Sequence, residues 1–366
     1  MPLESLAAQA LTTFLTTLFM IVAMAPVARG FGLTDKPTQR KRHQGDVPLI
    51  GGICIFLSLT VVNSPWGVFE HNITLVNYTK ELRIFTFCAA FIVLIGVLDD
   101  RFGLSVVIRS LSEVSVALVV IELLDLRLSH LGDLFGLGIL HLGSYLSYPF
   151  TVVSIYGIIN AFNMLDGVDG LLAGLVLCSL ALFHLILGVE LGMISLTVAA
   201  SLLAFLISNL GLSPLIPKTF LGDAGSKLLG FIVACLLLSA ASAQVGGIKI
   251  IKPVTALFVV SVPLFDMVFT TLRRFARGAS PVAADRSHIH HLLHDLGFSI
   301  KKTLVIILCL HSSLAIVGLL MHRANTPEYY QLAIFLGCFG LYSLLSGQLW
   351  LVAAKLQSSP PSRLKR

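Results

Sequence analysis

Long apolar runs, broken by short polar intervals, set the pattern of the chain. Eleven such stretches lie at about 7–29, 48–64, 81–98, 106–124, 144–163, 169–188, 191–211, 224–243, 253–272, 303–322 and 329–352. Each approaches the ~20 residues that a helix needs to cross a hydrocarbon core. None carries the polar stripe that a soluble helix shows to water. In lipid a helix satisfies its backbone polar groups within one segment, so the pattern predicts an all-α polytopic membrane protein of about 11 transmembrane helices. Residues 1–352 read as one integral membrane domain and 353–366 as a basic tail. The first run begins beside Glu4 and meets Pro26, so it reads as an uncleaved helix rather than a signal peptide.

Composition agrees: 56% of residues are hydrophobic and 12% are Asp, Glu, Lys or Arg, against roughly a quarter in a soluble domain. All six cysteines fall in apolar stretches without a CxxC pair, as buried hydrophobes would. Charge adds orientation. Of the 25 Lys and Arg residues, 19 collect on one face of the eleven-span topology, which makes that face cytoplasmic, with the N-terminus periplasmic and the C-terminus cytoplasmic. The net charge of +6 is then a topology signal, and no nucleic-acid role is expected. Asp35, Asp99, Asp100, Asp166, Asp169, Asp223, Asp285 and Asp295 share that face, mostly at helix ends, so an active site in the cytoplasmic loops is expected. Near the same face, Asp266 sits inside the ninth span, about two turns from its cytoplasmic end, where a secondary or metal-ion transporter would need a carboxylate.

Five polar stretches carry the candidate chemistry. "GVLDDRFG" places Asp99 beside Asp100, a like-charge pair suited to holding a cation or sharing a proton, although one acid would serve as an interfacial cap. In "NAFNMLDGVDG", Asn163, Asp166 and Asp169 recur every three residues, along one side of a helical turn, and an Asx-capped turn would explain one of them. "FLGDAGSKLLG" opens the eighth span, where Asp223 could be a helix N-cap or a ligand for Mg²⁺ beside phosphate-binding N–H groups. "RRFARGASPVAADRSHIHHLLH" supplies Arg273, Arg274, Arg277 and Arg286, which match diphosphate oxygens or anchor the loop at the membrane. Its His288, His290, His291 and His294 could bind zinc, contact a substrate or sit in a solvated loop. Zinc ranks last, since no Cys lies in a cytoplasmic loop, and His294 reads as the start of the helix leading to the tenth span. "GLTDKPTQRKRHQGDVPLIGG" offers Asp35, Lys36, Arg40, Lys41 and Arg42, as a membrane anchor or a phosphate grip.

Taken together and in order from about Gly32 to Phe298, these stretches resemble the polyprenyl-phosphate N-acetylhexosamine-1-phosphate transferase family, with "LTDKPTQRKRHQG", "LDDRF", "NAFNMLDGVDGL", "GDAGS" and "DRSHIHHL" as the matching motifs. The resemblance implies that UDP-N-acetylglucosamine reacts with undecaprenyl phosphate, giving undecaprenyl-diphospho-N-acetylglucosamine and UMP, with Mg²⁺ as cofactor or Mn²⁺ in its place. The same chemistry with another UDP-linked N-acetylated sugar, phospho-N-acetylmuramoyl-pentapeptide included, is the alternative within the family. Carried over by residue, the resemblance assigns the metal to Asp223 and Asp100, and catalysis to Asp99, Asp100, Asp166, Asp169 and His288. It assigns substrate contact to Asp35, Lys36, Arg109, Asn163, Arg274, His290 and His291. It also implies a homodimer and a multi-pass place in the bacterial inner membrane, with the product entering O-antigen or enterobacterial common antigen synthesis. One departure stands out: the family's acidic pair often belongs to DDxxD, and the fifth position here is Gly103. Either the last acid is dispensable or another group replaces it.

Overall fold

The computed structural model describes residues 3–36, 45–63, 80–242, 244–245, 248–249, 251–280 and 287–358. Arg40, Lys41, Arg42, Asp285, Arg286 and the tail from 359 onward lie outside them.

The chain is mostly helical. Helix α1 (Leu3–Gly30) leads through a short antiparallel pair, β1 (Thr34–Asp35) and β2 (Val47–Pro48), into α2 (Gly51–Val62). Then follow α3 (Lys80–Phe102), α4 (Val106–Leu124), α5 (Gly143–Leu165), α6 (Leu171–Asn209) and α7 (Gly222–Ser242). A second two-residue pair, β3 (Gln244–Val245) and β4 (Ile248–Lys249), precedes α8 (Pro253–Val259) and α9 (Ser261–Ala276). The chain continues through α10 (Ile289–Asp295), α11 (Ile300–Arg323) and α12 (Glu328–Ser358). Among the described residues, six helices are long and apolar enough to cross a membrane, seven if α8 and α9 count as one broken span. The protein is a multi-pass helical membrane protein.

Every stretch expected to span falls on a helix, with two differences in how. The ninth, expected as one run over 253–272, is broken at Val260 and bent by 85°. Pro263 gives the reason. In a continuous helix its missing N–H would leave the Val259 carbonyl without a partner and its ring would crowd that carbonyl, whereas the break places it in the tolerant first turn of α9. The sixth and seventh runs lie on the single element α6, as the shorter apolar segments Leu171–Leu185 and Ile194–Asn209.

Helix α7 is the hub. Its apolar window is 89% buried, against 17% for α12 and 22% for α1, whose outward faces carry apolar side chains such as Phe19 and Leu344, suited to lipid. Small residues let neighbours reach it. A side chain at Gly52 of α2 would collide with Gly225, and one at Gly96 of α3 with Ala224. Backbone bonds from Gly51 N to Phe220 O (2.9 Å) and Gly52 N to Leu221 O (3.1 Å) tie α2 to the entry of α7. The N-terminal end of α7 is thereby fixed against the C-terminal ends of α3 and α5, where the motif residues sit.

Candidate active site

Helix α3 ends at its acidic pair. Gly103 takes φ +65°, and its N–H returns to the Asp99 carbonyl (2.8 Å), so the position where DDxxD would place an acid closes the helix instead. Asp100 reaches across to α7 and accepts hydrogen bonds from Asp223 N (3.0 Å) and Ala224 N (3.4 Å). The cap of α7 thus comes from another helix. Asp223, inside the first turn, is released from that duty, and its Oδ1 accepts from Asn163 Nδ2 (3.1 Å). Asn163 also donates to Ser226 Oγ (2.8 Å).

Asp99 is buried and committed. It accepts from Leu104 N (2.9 Å) and pairs with Arg109 (3.1 Å) and Lys227 (3.2 Å). The Lys227 side chain is 2% exposed, and its Nζ lies 3.7 Å from Glu113 and 3.8 Å from Asp223. Arg109 is also 3.8 Å from Asp223, and Glu113 accepts from Asn160 Nδ2 (2.6 Å). Asp99, Glu113 and Asp223 therefore share two cations, Arg109 and Lys227, and Asp100 joins this layer through the backbone N–H groups of Asp223 and Ala224.

The expected one-sided row of Asn163, Asp166 and Asp169 does not form. Helix α5 ends at Asp166, whose ψ of +63° turns the chain away, and Gly170 (φ +78°) starts α6. Asp166 stays at the site. Burial, reinforced by the charges of Asp223, Asp100 and Asp169, pushes its carboxyl up from 3.8 to about 8. Asp169 instead pairs with Lys218 (2.6 Å).

The histidine stretch is a helix as well as a loop. His288 is the N-cap of α10, His290 and His291 lie in its first turn and His294 in its last. His294 thus ends α10 rather than starting the next helix, and α11 has its own N-cap at Ser299. Asp266 of α9, 1% exposed, organises this wall: it accepts from His288 Nδ1 (2.6 Å), Ile289 N (2.8 Å) and Tyr342 Oη (2.8 Å). All three donors converge on this one carboxylate, so Asp266 ties α9, α10 and α12 together. His288 and His290 stack in parallel (centroids 5.9 Å apart), and a side chain at Gly167 would collide with His290.

A cavity of about 330 Å³ opens between these groups. Arg109, Glu113, Asn163, Asp166 and Lys227 line one side, with Arg274, His288, His290 and His291 on the other. Seven residues singled out in the sequence meet there: Arg109, Asn163, Asp166, Arg274, His288, His290 and His291. Asp99, Asp100 and Asp223 stand just behind them, linked through Arg109, Lys227 and Asn163. Asp35 lies in β1 and Lys36 is exposed beyond it, and neither lines the cavity. Sequence reasoning did not place Lys227 and Glu113 in the site. The one available signal was charge inside apolar runs, which is too costly to keep without partners.

The family described as Glycosyl transferase family 4 matches residues 82–241, the region from α3 to α7 that holds the acidic layer. Three relatives carry the name undecaprenyl-phosphate alpha-N-acetylglucosaminyl 1-phosphate transferase. That of Escherichia coli (strain K12) is 39% identical over 344 residues, 92% of this chain and 90% of the relative. The Salmonella typhi protein is 38% identical over 358 residues (96% and 94%), and that of Haemophilus influenzae 36% over 338 residues (91% and 90%). On identity sustained over nine-tenths of each relative, the chain belongs to glycosyl transferase family 4, among the undecaprenyl-phosphate alpha-N-acetylglucosaminyl 1-phosphate transferases.

Proposed function

We propose that the protein transfers N-acetylglucosamine-1-phosphate from UDP-N-acetylglucosamine to undecaprenyl phosphate, releasing UMP and priming a lipid-linked glycan such as O-antigen or enterobacterial common antigen. The observation that carries this reading is the cavity, where Arg109, Lys227 and Arg274 converge with three histidines at the ends of apolar helices. A charged nucleotide sugar and a membrane-held phosphate can meet only at such an interface. In this reading the cavity faces the cytoplasm, the side on which the basic residues collect.

The donor set fits Mg²⁺ or Mn²⁺. Asp100 and Asp223 meet at the end of α7 in a layer of four carboxylates and two cations, an excess of negative charge supplied by hard oxygen ligands. Mg²⁺ is commonly held by one or two carboxylates with water and substrate phosphates, and Asp100 and Asp223 would supply the carboxylates. When bound there, the ion supplies charge neutralisation at the phosphoryl oxygens.

The chain's own residues do the rest. The lipid phosphate, with a second pKa near ~6, is largely dianionic at neutral pH and needs little activation. Its oxygen attacks the β-phosphorus as the bond to the oxygen bridging the α-phosphate breaks, and that electron pair leaves with UMP. Arg109, Lys227 and Arg274 offset the charge spread over the transferring group. Asp99, already engaged by Lys227, Arg109 and Leu104 N, holds those cations in place rather than accepting a proton. The test is incubation of purified protein with radiolabelled UDP-N-acetylglucosamine and undecaprenyl phosphate, with and without Mg²⁺. Lipid-linked product formed only with the metal supports the reading, and no product under either condition overturns it. Exchange of label between UMP and the nucleotide sugar without lipid would replace direct attack by a phospho-aspartyl route.

A further inference from the structure

His288 is held at both ring nitrogens, and the two partners dictate its state. Asp266 Oδ2 lies 2.6 Å from Nδ1. Arg274 Nη2 lies 3.4 Å from Nε2. A guanidinium has only donors and a carboxylate only acceptors, so the ring carries its proton on Nδ1 and a lone pair on Nε2. That lone pair faces the Arg274 guanidinium, and both residues line the cavity.

Asp266 is built for this task. It sits inside α9, six residues past the break at Val260, with its side chain 1% exposed. Its Oδ2 takes the ring N–H, and its Oδ1 takes Ile289 N (2.8 Å) and Tyr342 Oη (2.8 Å). One carboxylate therefore fixes both the ring and the backbone of the residue after it, while α12 braces the carboxylate from behind. The charged and titratable groups around the ring are Asp266 and Arg274 of α9, His290 of α10 and, through Asp266, Tyr342 of α12.

We propose that Asp266, braced by Tyr342, is a positioning residue that holds His288 as the Nδ1–H tautomer, so that Nε2 serves as a proton acceptor in the transfer site. The inference rests on the transferase reading and adds a role to it. When the lipid phosphate arrives as its monoanion, its proton moves to Nε2. The freed oxygen then forms the bond to the β-phosphorus while the bond to UMP breaks, and the proton passes from Nε2 to the phosphate of departing UMP. Arg274, drawn to the diphosphate, uncovers Nε2 as substrate binds.

The tautomer is read first, by ¹⁵N NMR of histidine-labelled full-length protein in detergent micelles, with the His288 signals assigned by their loss in His288→Gln. Wild-type protein should show a protonated Nδ1 and an unprotonated Nε2, and Asp266→Asn should mix the tautomers. The reverse tautomer in wild-type protein overturns the proposal. In the transferase assay at about pH 6, where the lipid phosphate is half monoanion, Asp266→Asn should lower kcat ~10-fold while KM for UDP-N-acetylglucosamine stays within about threefold. The loss should shrink at about pH 8, and Asp266→Glu should recover part of it. In a His288→Ala background the same Asp266→Asn change should alter kcat less than ~2-fold. An equal loss in both backgrounds would make Asp266 a merely structural residue and overturn the proposal. If wild-type protein forms no lipid product, the transferase reading fails instead, and the tautomer still reports on Asp266.

Discussion

The two walls of the cavity solve the problem of charge in an apolar protein differently. On the α3–α4–α7 side, carboxylates and cations neutralise each other: Lys227 alone lies within 3.8 Å of Asp99, Glu113 and Asp223. On the α9–α10 side one buried carboxylate, Asp266, is satisfied mainly by hydrogen bonds, and its work is to aim a neighbour. The first wall is a shared charge reservoir, where removing one member strands several others. The second is a chain of orientation, where removing one member should spare the fold and blunt the chemistry.

The sharpest way to break this contrast is Lys227→Met. It leaves Asp99 and Glu113 buried with less compensation, so it should destabilise the protein by ~3–5 kcal/mol, read as unfolding in detergent micelles. Adding Glu113→Gln should return at least ~1 kcal/mol, because one stranded charge goes with it. A Lys227→Met protein as stable as wild type would dissolve the idea of a shared reservoir. Next comes Asp223→Asn, isosteric and with Asp100 still capping α7. It should keep the fold yet lower kcat ~10²–10³-fold, with added Mg²⁺ failing to restore it.

Asp166 sharpens the comparison through pH. Its carboxyl is raised from 3.8 to about 8 by burial and by the charges of Asp223, Asp100 and Asp169. A raised carboxyl means that the folded protein binds a proton which the unfolded chain has already lost. The stability from that proton is complete below about pH 4 and vanishes as pH rises through about 8. Without divalent cation, unfolding should therefore become easier between these values, and Asp166→Asn should flatten that part of the profile. A divalent ion favours the ionised form, so Mg²⁺ binding at pH 7 should release protons, measurable by calorimetry in two buffers of different ionisation enthalpy.

Much of this site was legible in the sequence because charge is rare in this chain, so each motif acid stood out. The rest depends on contacts that span the chain. Lys227 meets Asp99 across 128 positions and Asp266 meets Tyr342 across 76, distances over which no local period carries information. The one-sided row of Asn163, Asp166 and Asp169 failed because a three-residue spacing marks a helix face only while the helix lasts, and α5 stops at Asp166. The break at Val260 was hidden for a similar reason. Its cause, Pro263, lies three residues on, inside the apolar run read as one span over 253–272.

The smallest expected effect tests the edge of the charged wall. Asp169 and Lys218 meet at 2.6 Å with side chains 27% and 39% exposed, outside the cavity that Asp166 lines three residues earlier. Solvent screens such a pair, so Lys218→Met should change stability by less than ~1 kcal/mol. The interlocked layer predicts the contrast with Lys227: two lysines, each salt-bridged to a motif aspartate, with effects several-fold apart because only one is enclosed. Asp169→Asn should likewise lower kcat less than Asp166→Asn in the same assay. If Asp169→Asn proved the more damaging, the pair with Lys218 would have to open when substrate binds, and the wall of carboxylates would extend one turn further than the cavity now marks.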